Sequence, residues 1–252
     1  MAITESPCYK RNYLTDVIVR IDFSSPEDDL QTKIKGELSK LILSYFPIQE
    51  PKQAFLQHIN IQEGLPTADR RDFTEWNFWG TEKEKRLVIT QDFIFVSYNQ
   101  FTSWGDLRDE FTAISTRLFY LYPEIQARRV GVRFINQITV GDGKPSDWED
   151  YINPQLLGLM NYQVEGGLVS RNLHNFEYKF DDYQFRMQFG QHNPDYPAPI
   201  KRRQFILDYD AARNGLIEPT EVQDCIEQYH ETIQAEFERN ITDGLRKALD
   251  EE

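Results

Sequence analysis

Residues 16–23 alternate, with Val17, Val19, Ile21 and Phe23 on one face of a predicted strand and Asp16, Arg20 and Asp22 on the other. Ser24-Ser25-Pro26-Glu27 follows as a helix start, with serine as cap, proline in the first turn and acids after it. The spacing predicts a helix over 27–45 that buries Leu30, Ile34, Leu38, Leu41 and Ile42 and stops before Pro47. Strands are expected over 53–62, 72–80, 85–90 and 92–99, separated by the turn-rich Gly64-Leu65-Pro66-Thr67 and the charged Thr81-Glu82-Lys83-Glu84. A second helix is predicted from Ser103 to about Tyr122, with Leu107, Phe111, Ile114 and Leu118 as its stripe.

The order then recurs. A strand over 129–140 leads through Gly141-Asp142-Gly143-Lys144-Pro145, read as a turn, into a helix expected over 146–160. Strands follow over 168–180, 182–191 and 202–210, with Asp181-Asp182 as a hairpin turn. Glu218-Pro219-Thr220-Glu221 opens a terminal helix striped by Val222, Cys225, Ile226, Tyr229, Ile233 and Phe237, with a break expected near Asn240 to Gly244. Val17 to Phe23 corresponds to Val130 to Asn136, and Phe93 to Tyr98 to Phe205 to Asp210. The expected fold is therefore α+β: two pseudo-repeats of β-α-β-β-β(-β)-α, residues 1–125 and 126–252, sharing a curved antiparallel sheet with helices on one face.

Forty per cent hydrophobic and 27% charged residues are ordinary for a globular protein, and 13% aromatics favour sheet. The longest apolar runs, such as Leu41-Ile42-Leu43, are too short to span a bilayer, so no membrane association is expected. Two cysteines imply no disulfide framework, and with no signal-peptide pattern at the start the expected compartment is the cytoplasm. A net charge of −13 argues against general nucleic-acid binding, because that affinity rests on neutralising phosphates. The basic pairs Lys10-Arg11, Arg70-Arg71 and Arg128-Arg129 and the triplet Lys201-Arg202-Arg203 are short and scattered. An acidic surface suits a basic protein partner.

Tyr13-Leu14, the run Arg129-Val130-Gly131-Val132-Arg133-Phe134-Ile135-Asn136 and Leu207-Asp208-Tyr209-Asp210 resemble a sporadically distributed family of uncharacterised prokaryotic proteins of about this length. That family's central motif reads Arg-x-Gly-Leu-Arg-Tyr-Ile-Asn, from which this chain departs conservatively at Val132 and Phe134. The resemblance implies no activity; its patchy distribution implies genes on mobile elements or in phage-defence neighbourhoods. In element order alone, the chain also resembles the duplicated saddle of TATA-binding-protein-like folds and the helix-grip folds.

Strand parity defines the candidate site. Arg129 and Arg133 share the face opposite Val130, Val132 and Phe134, while Asp208 and Asp210 lie opposite Phe205, Leu207 and Tyr209. Were the halves to form one sheet, its polar face would gather Arg20, Asp22, Arg129, Arg133, Asp208 and Asp210. Such a face either presents arginine forks to an anionic group or partner, or consists of cross-strand ion pairs. Asp208 and Asp210 with Glu177 are the one conceivable metal set, though no spacing enforces it. His58, His174, His192 and His230 form no ligand pair, and His174 reads as a satisfied, half-buried histidine. Cys225 reads as core, and Cys8 has no evident histidine partner. Trp76, Phe78, Trp79 and Trp104 concentrate aromatics in the first half, and Trp79 is the interface candidate among them.

No catalytic residue, metal set or cofactor is predicted. The favoured reading is a non-enzymatic binding or adaptor protein that recognises a protein partner, such as the product of a neighbouring gene in a phage-defence or toxin-neutralising system. The alternatives are a sensor of a small anionic ligand such as a nucleotide, and a metal-dependent hydrolase built on Asp208 and Asp210.

Overall fold

β1 (Leu14–Phe23) forms where the alternation predicts it, with Val17, Val19 and Ile21 fully buried. The structure is a computed structural model that describes residues 9–62, 65–160, 162 and 164–250, without the side chains of 56–62 and 65–71. Cys8 and Gly64 therefore lie outside the described residues, as do the side chains of His58, Arg70 and Arg71.

The predicted 27–45 helix is instead two, α1 (Asp29–Thr32) and α2 (Gly36–Tyr45). Asp28 rather than a serine holds the N-cap of α1, and no side chain caps it. The break has a local cause. The Trp76 indole donates to the Leu30 carbonyl (2.6 Å) and the Thr74 hydroxyl to the Gln31 carbonyl (2.7 Å). Those carbonyls would otherwise accept from Ile34 and Lys35 in a continuing helix. Lys33 is extended instead (φ −163°, ψ 153°), and the Lys35 amide donates to the Tyr122 hydroxyl.

Five strands follow: β2 (Ile48–Gln49), β3 (Lys52–Gln62), β4 (Leu65–Trp79), β5 (Lys85–Ile89) and β6 (Phe93–Tyr98). Leu65, Pro66 and Thr67, expected as turn, are the first residues of β4. A strand with a single neighbour tolerates proline, and here that neighbour is β3. Eleven residue pairs, from Lys52↔Glu75 to Gln62↔Leu65, make a two-stranded arm of ~35 Å, whereas Trp76 to Trp79 pair with β5. Helix α3 (Trp104–Leu121) starts as predicted, with Ser103 Oγ accepting from the Asp106 amide (3.1 Å). Leu107, Phe111, Ile114 and Leu118 are buried, at roughly 2 kcal/mol apiece against about 1 for the cap, so the stripe outweighs the cap in holding it.

β7 (Ala127–Ile138) also matches its prediction. The helix expected over 146–160 shrinks to α4 (Pro154–Leu157). Pro154 excludes Asn153 from helical backbone (φ −51°, ψ 125°), and Asn153 caps α4 through Oδ1 instead. Before it, Trp148 is fully buried, packs on Phe205 at 5.2 Å between ring centres, and donates to the Pro145 carbonyl. Arg203 holds the preceding loop by donating to the Val140 and Asp147 carbonyls. It lies 2.9 Å from where a Cβ on Gly141 (φ +65°) would stand, so that glycine serves a turn rather than a phosphate.

The remaining elements are β8 (Asn172–Lys179), β9 (Gln184–Gln191), β10 (Phe205–Ile217), α5 (Val222–Asn240) and α6 (Asp243–Asp250). Asp181-Asp182 is the expected turn, closed by the Phe180 amide donating to the Tyr183 carbonyl (2.9 Å). β10 runs seven residues past its predicted end at 210. The terminal helix breaks at Ile241-Thr242, where Ile241 bridges to Ile152.

The fold is α+β, with ten strands and six helices among the described residues. It resolves into two compact units: Ile18–Val130 with Asn214–Gln223, and Met1–Val17 with Gly131–Arg213 and Asp224–Glu252. In the former, hereafter the N-terminal unit, the strand order is β2-β4-β5-β6-β1 with β3 on β4. In the latter, the C-terminal unit, it is β7-β10-β9-β8. There the buried face carries Phe185, Met187, Phe189, Leu207 and Tyr209; Tyr183 packs on Tyr229 of α5, and Asn240 donates to the Tyr209 hydroxyl. No helix of the described residues is long and apolar enough to cross a membrane.

Buried tyrosines set an alkaline limit. Burial, and then the hydrogen bond to Glu110, push the Tyr98 phenol well above its ordinary range; burial does the same for Tyr209. A folded-state pKa above the unfolded one means the contribution is complete below about pH 10 and lost as pH rises beyond it. Chemical unfolding from pH 8 to 11 is expected to show stability falling above about pH 10, by about 1.4 kcal/mol per pH unit for each such tyrosine. Tyr98→Phe should flatten that fall; an unchanged slope would refute the assignment.

Candidate functional site

In the C-terminal unit, the face of the sheet opposite the Phe185-Met187-Phe189 side is polar. Register places Glu177 opposite Arg186 and Arg186 opposite Asp210, an acid–base–acid row across β8, β9 and β10. The next row is Asn175, Gln188 and Asp208, and Arg133 of β7 reaches its end. The Arg133 guanidinium grips Asp208 as a fork, Nε to Oδ1 at 2.8 Å and Nη2 to Oδ2 at 2.7 Å. The Asp208 side chain is only 4% exposed, while that of Arg133 is 37% exposed, so the carboxylate lies beneath the guanidinium. The hydrogen bond to Asp208 raises the already high pKa of Arg133, so the fork stays charged. Arg186 Nη2 approaches Asp210 Oδ2 at 3.3 Å.

In the N-terminal unit, Arg20 donates from Nε and Nη2 to Asp22 Oδ1 (2.9 and 2.6 Å) and lies 4.1 Å over the Phe93 ring. Arg129 Nη1 stands 3.7 Å from the other oxygen of Asp22, which is 7% exposed as a residue. Trp79 belongs to neither cluster. It is half-buried, with the Lys83 ammonium 5.4 Å and the Arg86 guanidinium 5.2 Å from its ring centre. Its neighbour Glu50 is held below the usual carboxylate range, first by its hydrogen bond to Lys83.

The sequence candidates thus separate into Arg133, Asp208 and Asp210 in one unit and Arg20, Asp22, Arg129 and Trp79 in the other. Arg186 escaped sequence reasoning, although it alternates with the buried Phe185 and Met187 on a legible strand. His174 is a correction. Its ring stacks on Phe189 at 5.1 Å, but its buried Nε2 meets no hydrogen-bonding group of the protein, so it is not satisfied as expected. Cys225 is buried, as a core residue should be. Among the described residues, no three His, Cys, Asp or Glu side chains stand close enough to hold a metal ion together. A cleft of about 240 Å³ in the N-terminal unit is lined by Thr112, Ser115, Thr116, Phe119, Thr220 and neighbours, and no lining residue is cationic.

No protein-family model matches this chain, and no curated protein does.

Proposed function

We propose that this chain is a cytoplasmic, non-enzymatic binding or adaptor protein that recognises another protein through the polar sheet face around Arg133. The observation that carries the reading is the Arg133–Asp208 fork. A small anion seeking the bidentate grip of that guanidinium would have to displace a buried carboxylate, at the cost of stranding it, and otherwise reaches only the single Nη1 group. A protein surface needs no such exchange. It can take Nη1 of Arg133, which the fork does not use, and cover the half-exposed Arg186 and Asp210 beside it. The net charge of −13 favours a basic partner. The same proposal treats the chain as a duplicated unit. Supporting it, Val17, Val19 and Ile21 of β1 and Val130, Val132 and Phe134 of β7 are all buried, with Arg20 and Arg133 on the other strand faces. The resemblance over Arg129 to Asn136 supports a prokaryotic defence setting.

Co-purification with the products of neighbouring genes tests the reading. Arg133→Lys keeps a positive charge over Asp208 but loses the fork and Nη1. It is expected to keep the fold and weaken the complex by about 2 kcal/mol, roughly thirtyfold. A complex of full affinity with Arg133→Lys removes this face from consideration. A nucleotide that raises the melting temperature by mass action would favour a ligand sensor instead.

A further inference from the structure

β8 is the last strand in the order of the C-terminal unit, so among the described residues its outer edge pairs with no strand. It carries Phe176 and Tyr178, followed by Phe180, and these are 47%, 45% and 42% exposed. All three lie against β9 or its turn: Phe176 stacks on Phe189, Phe180 stacks on Tyr183, and Tyr178 is tilted against Phe185. Soluble proteins usually blunt such an edge with proline, a bulge or a run of like charge. β8 has neither proline nor bulge, and its register with β9 is unbroken over eight pairs.

Residues 176–180 read Phe-Glu-Tyr-Lys-Phe, which keeps its aromatic positions when reversed and exchanges acid for base. The backbone phase suits the same symmetry. The Phe180 amide donates inward to Tyr183, so in an antiparallel ladder the amides of Phe176 and Tyr178 also turn toward β9. Those of Asn175, Glu177 and Lys179 turn outward. We propose that β8 is a homodimerisation edge: two copies pair β8 to β8 antiparallel about Tyr178, extending one sheet into the other across a twofold axis.

In that register Glu177 faces Lys179 of the second copy, and Lys179 faces its Glu177, both as hydrogen-bonded pairs. Tyr178 meets Tyr178, and Phe176 meets Phe180, at the non-hydrogen-bonded positions where side chains approach most closely. Asp181 falls opposite Asn175 and Asp182 opposite His174, so no like charges meet. The other registers of the same phase do worse. Centring on Glu177 sets acid against acid, centring on Lys179 sets base against base, and centring on Phe176 leaves no ion pair. This self-complementarity selects a second copy over an unrelated strand.

Analytical ultracentrifugation of the full chain across the micromolar range tests it. The parent chain is expected to show a concentration-dependent monomer–dimer equilibrium. Glu177→Lys and Lys179→Glu each convert both ion pairs to like-charge pairs, and each should weaken the dimer about tenfold or more. The double reversal Glu177→Lys/Lys179→Glu restores complementarity and should dimerise like the parent. An equimolar mixture of the two single variants should form a heterodimer that neither matches alone. A parent chain that stays monomeric overturns the proposal, as do single reversals that leave association unchanged. Both side chains are exposed, so circular dichroism should show each variant folded. Glu177 stands opposite Arg186 of the polar face, whereas Lys179 stands opposite Gln184, so Lys179→Glu is the variant that separates this outcome from the reading above: it should weaken self-association and leave partner binding unchanged.

Discussion

The Arg133→Ala variant is expected to be about 2 kcal/mol less stable than the parent chain, and Asp208→Ala only about 1. The asymmetry follows from where each partner sits. Removing the guanidinium leaves a carboxylate 4% exposed, already desolvated and without the fork that compensates it. Removing the carboxylate leaves a guanidinium 37% exposed, which can turn to water. The figure for Arg133→Ala lies below the 3–5 kcal/mol typical of a fully buried pair because that exposure screens part of the interaction. Urea unfolding of both single variants and the double variant closes the cycle. The double variant should be no less stable than Arg133→Ala alone, since it carries no stranded charge. Equal losses in the two single variants would show that Asp208 finds another partner. An exposed pair would lose at most about 1 kcal/mol; burial of Asp208 raises the loss.

Gly190→Ala is expected to cost about 3 kcal/mol or more, concentrated in β8. Gly190 adopts φ +135°, which side-chain-bearing residues rarely do, and a Cβ there would stand 2.1 Å from the Asn172 carbonyl oxygen. The obstacle is backbone, so no rotamer change relieves it. Gly190 pairs with Leu173 on one side and Ile206 on the other, and the collision pushes β8 off β9 where β8 begins. Hydrogen exchange should show protection lost over 172–179, with β10 retaining more of its own. Gly158→Ala is the control, since nothing lies within 4 Å of its Cβ and its backbone is helical; it should change stability by less than about 1 kcal/mol. Gly190→Ala that unfolds with the parent would mean the strand shifts register to make room. It should also weaken any β8-mediated dimer, even with its edge charges intact.

What the sequence determined alone is whatever repeats over a few residues. The alternation of Val17, Val19 and Ile21, and of Val130, Val132 and Phe134, is enough to place β1 and β7 and to assign their buried faces. The stripe from Leu107 to Leu118 with Ser103 before it is enough for α3. The same parity correctly sets Arg133, Asp208 and Asp210 opposite their buried neighbours, because which way a strand residue points is a local property. Tertiary structure decided whatever needs two distant segments. α1 ends early because Trp76 and Thr74, more than forty residues on, take its carbonyls. The shortening of the predicted 146–160 helix is an exception with a local cause, since Pro154 keeps Asn153 out of helical backbone. The arm of β3 and β4 depends on eleven cross-strand pairs that no single window of sequence contains. Arg133 finds Asp208 across 75 residues, and only strand register makes that carboxylate its partner and buries it. Periodicity fixes the face of a residue, while register fixes its neighbour, and the charge state of this surface depends on the neighbour.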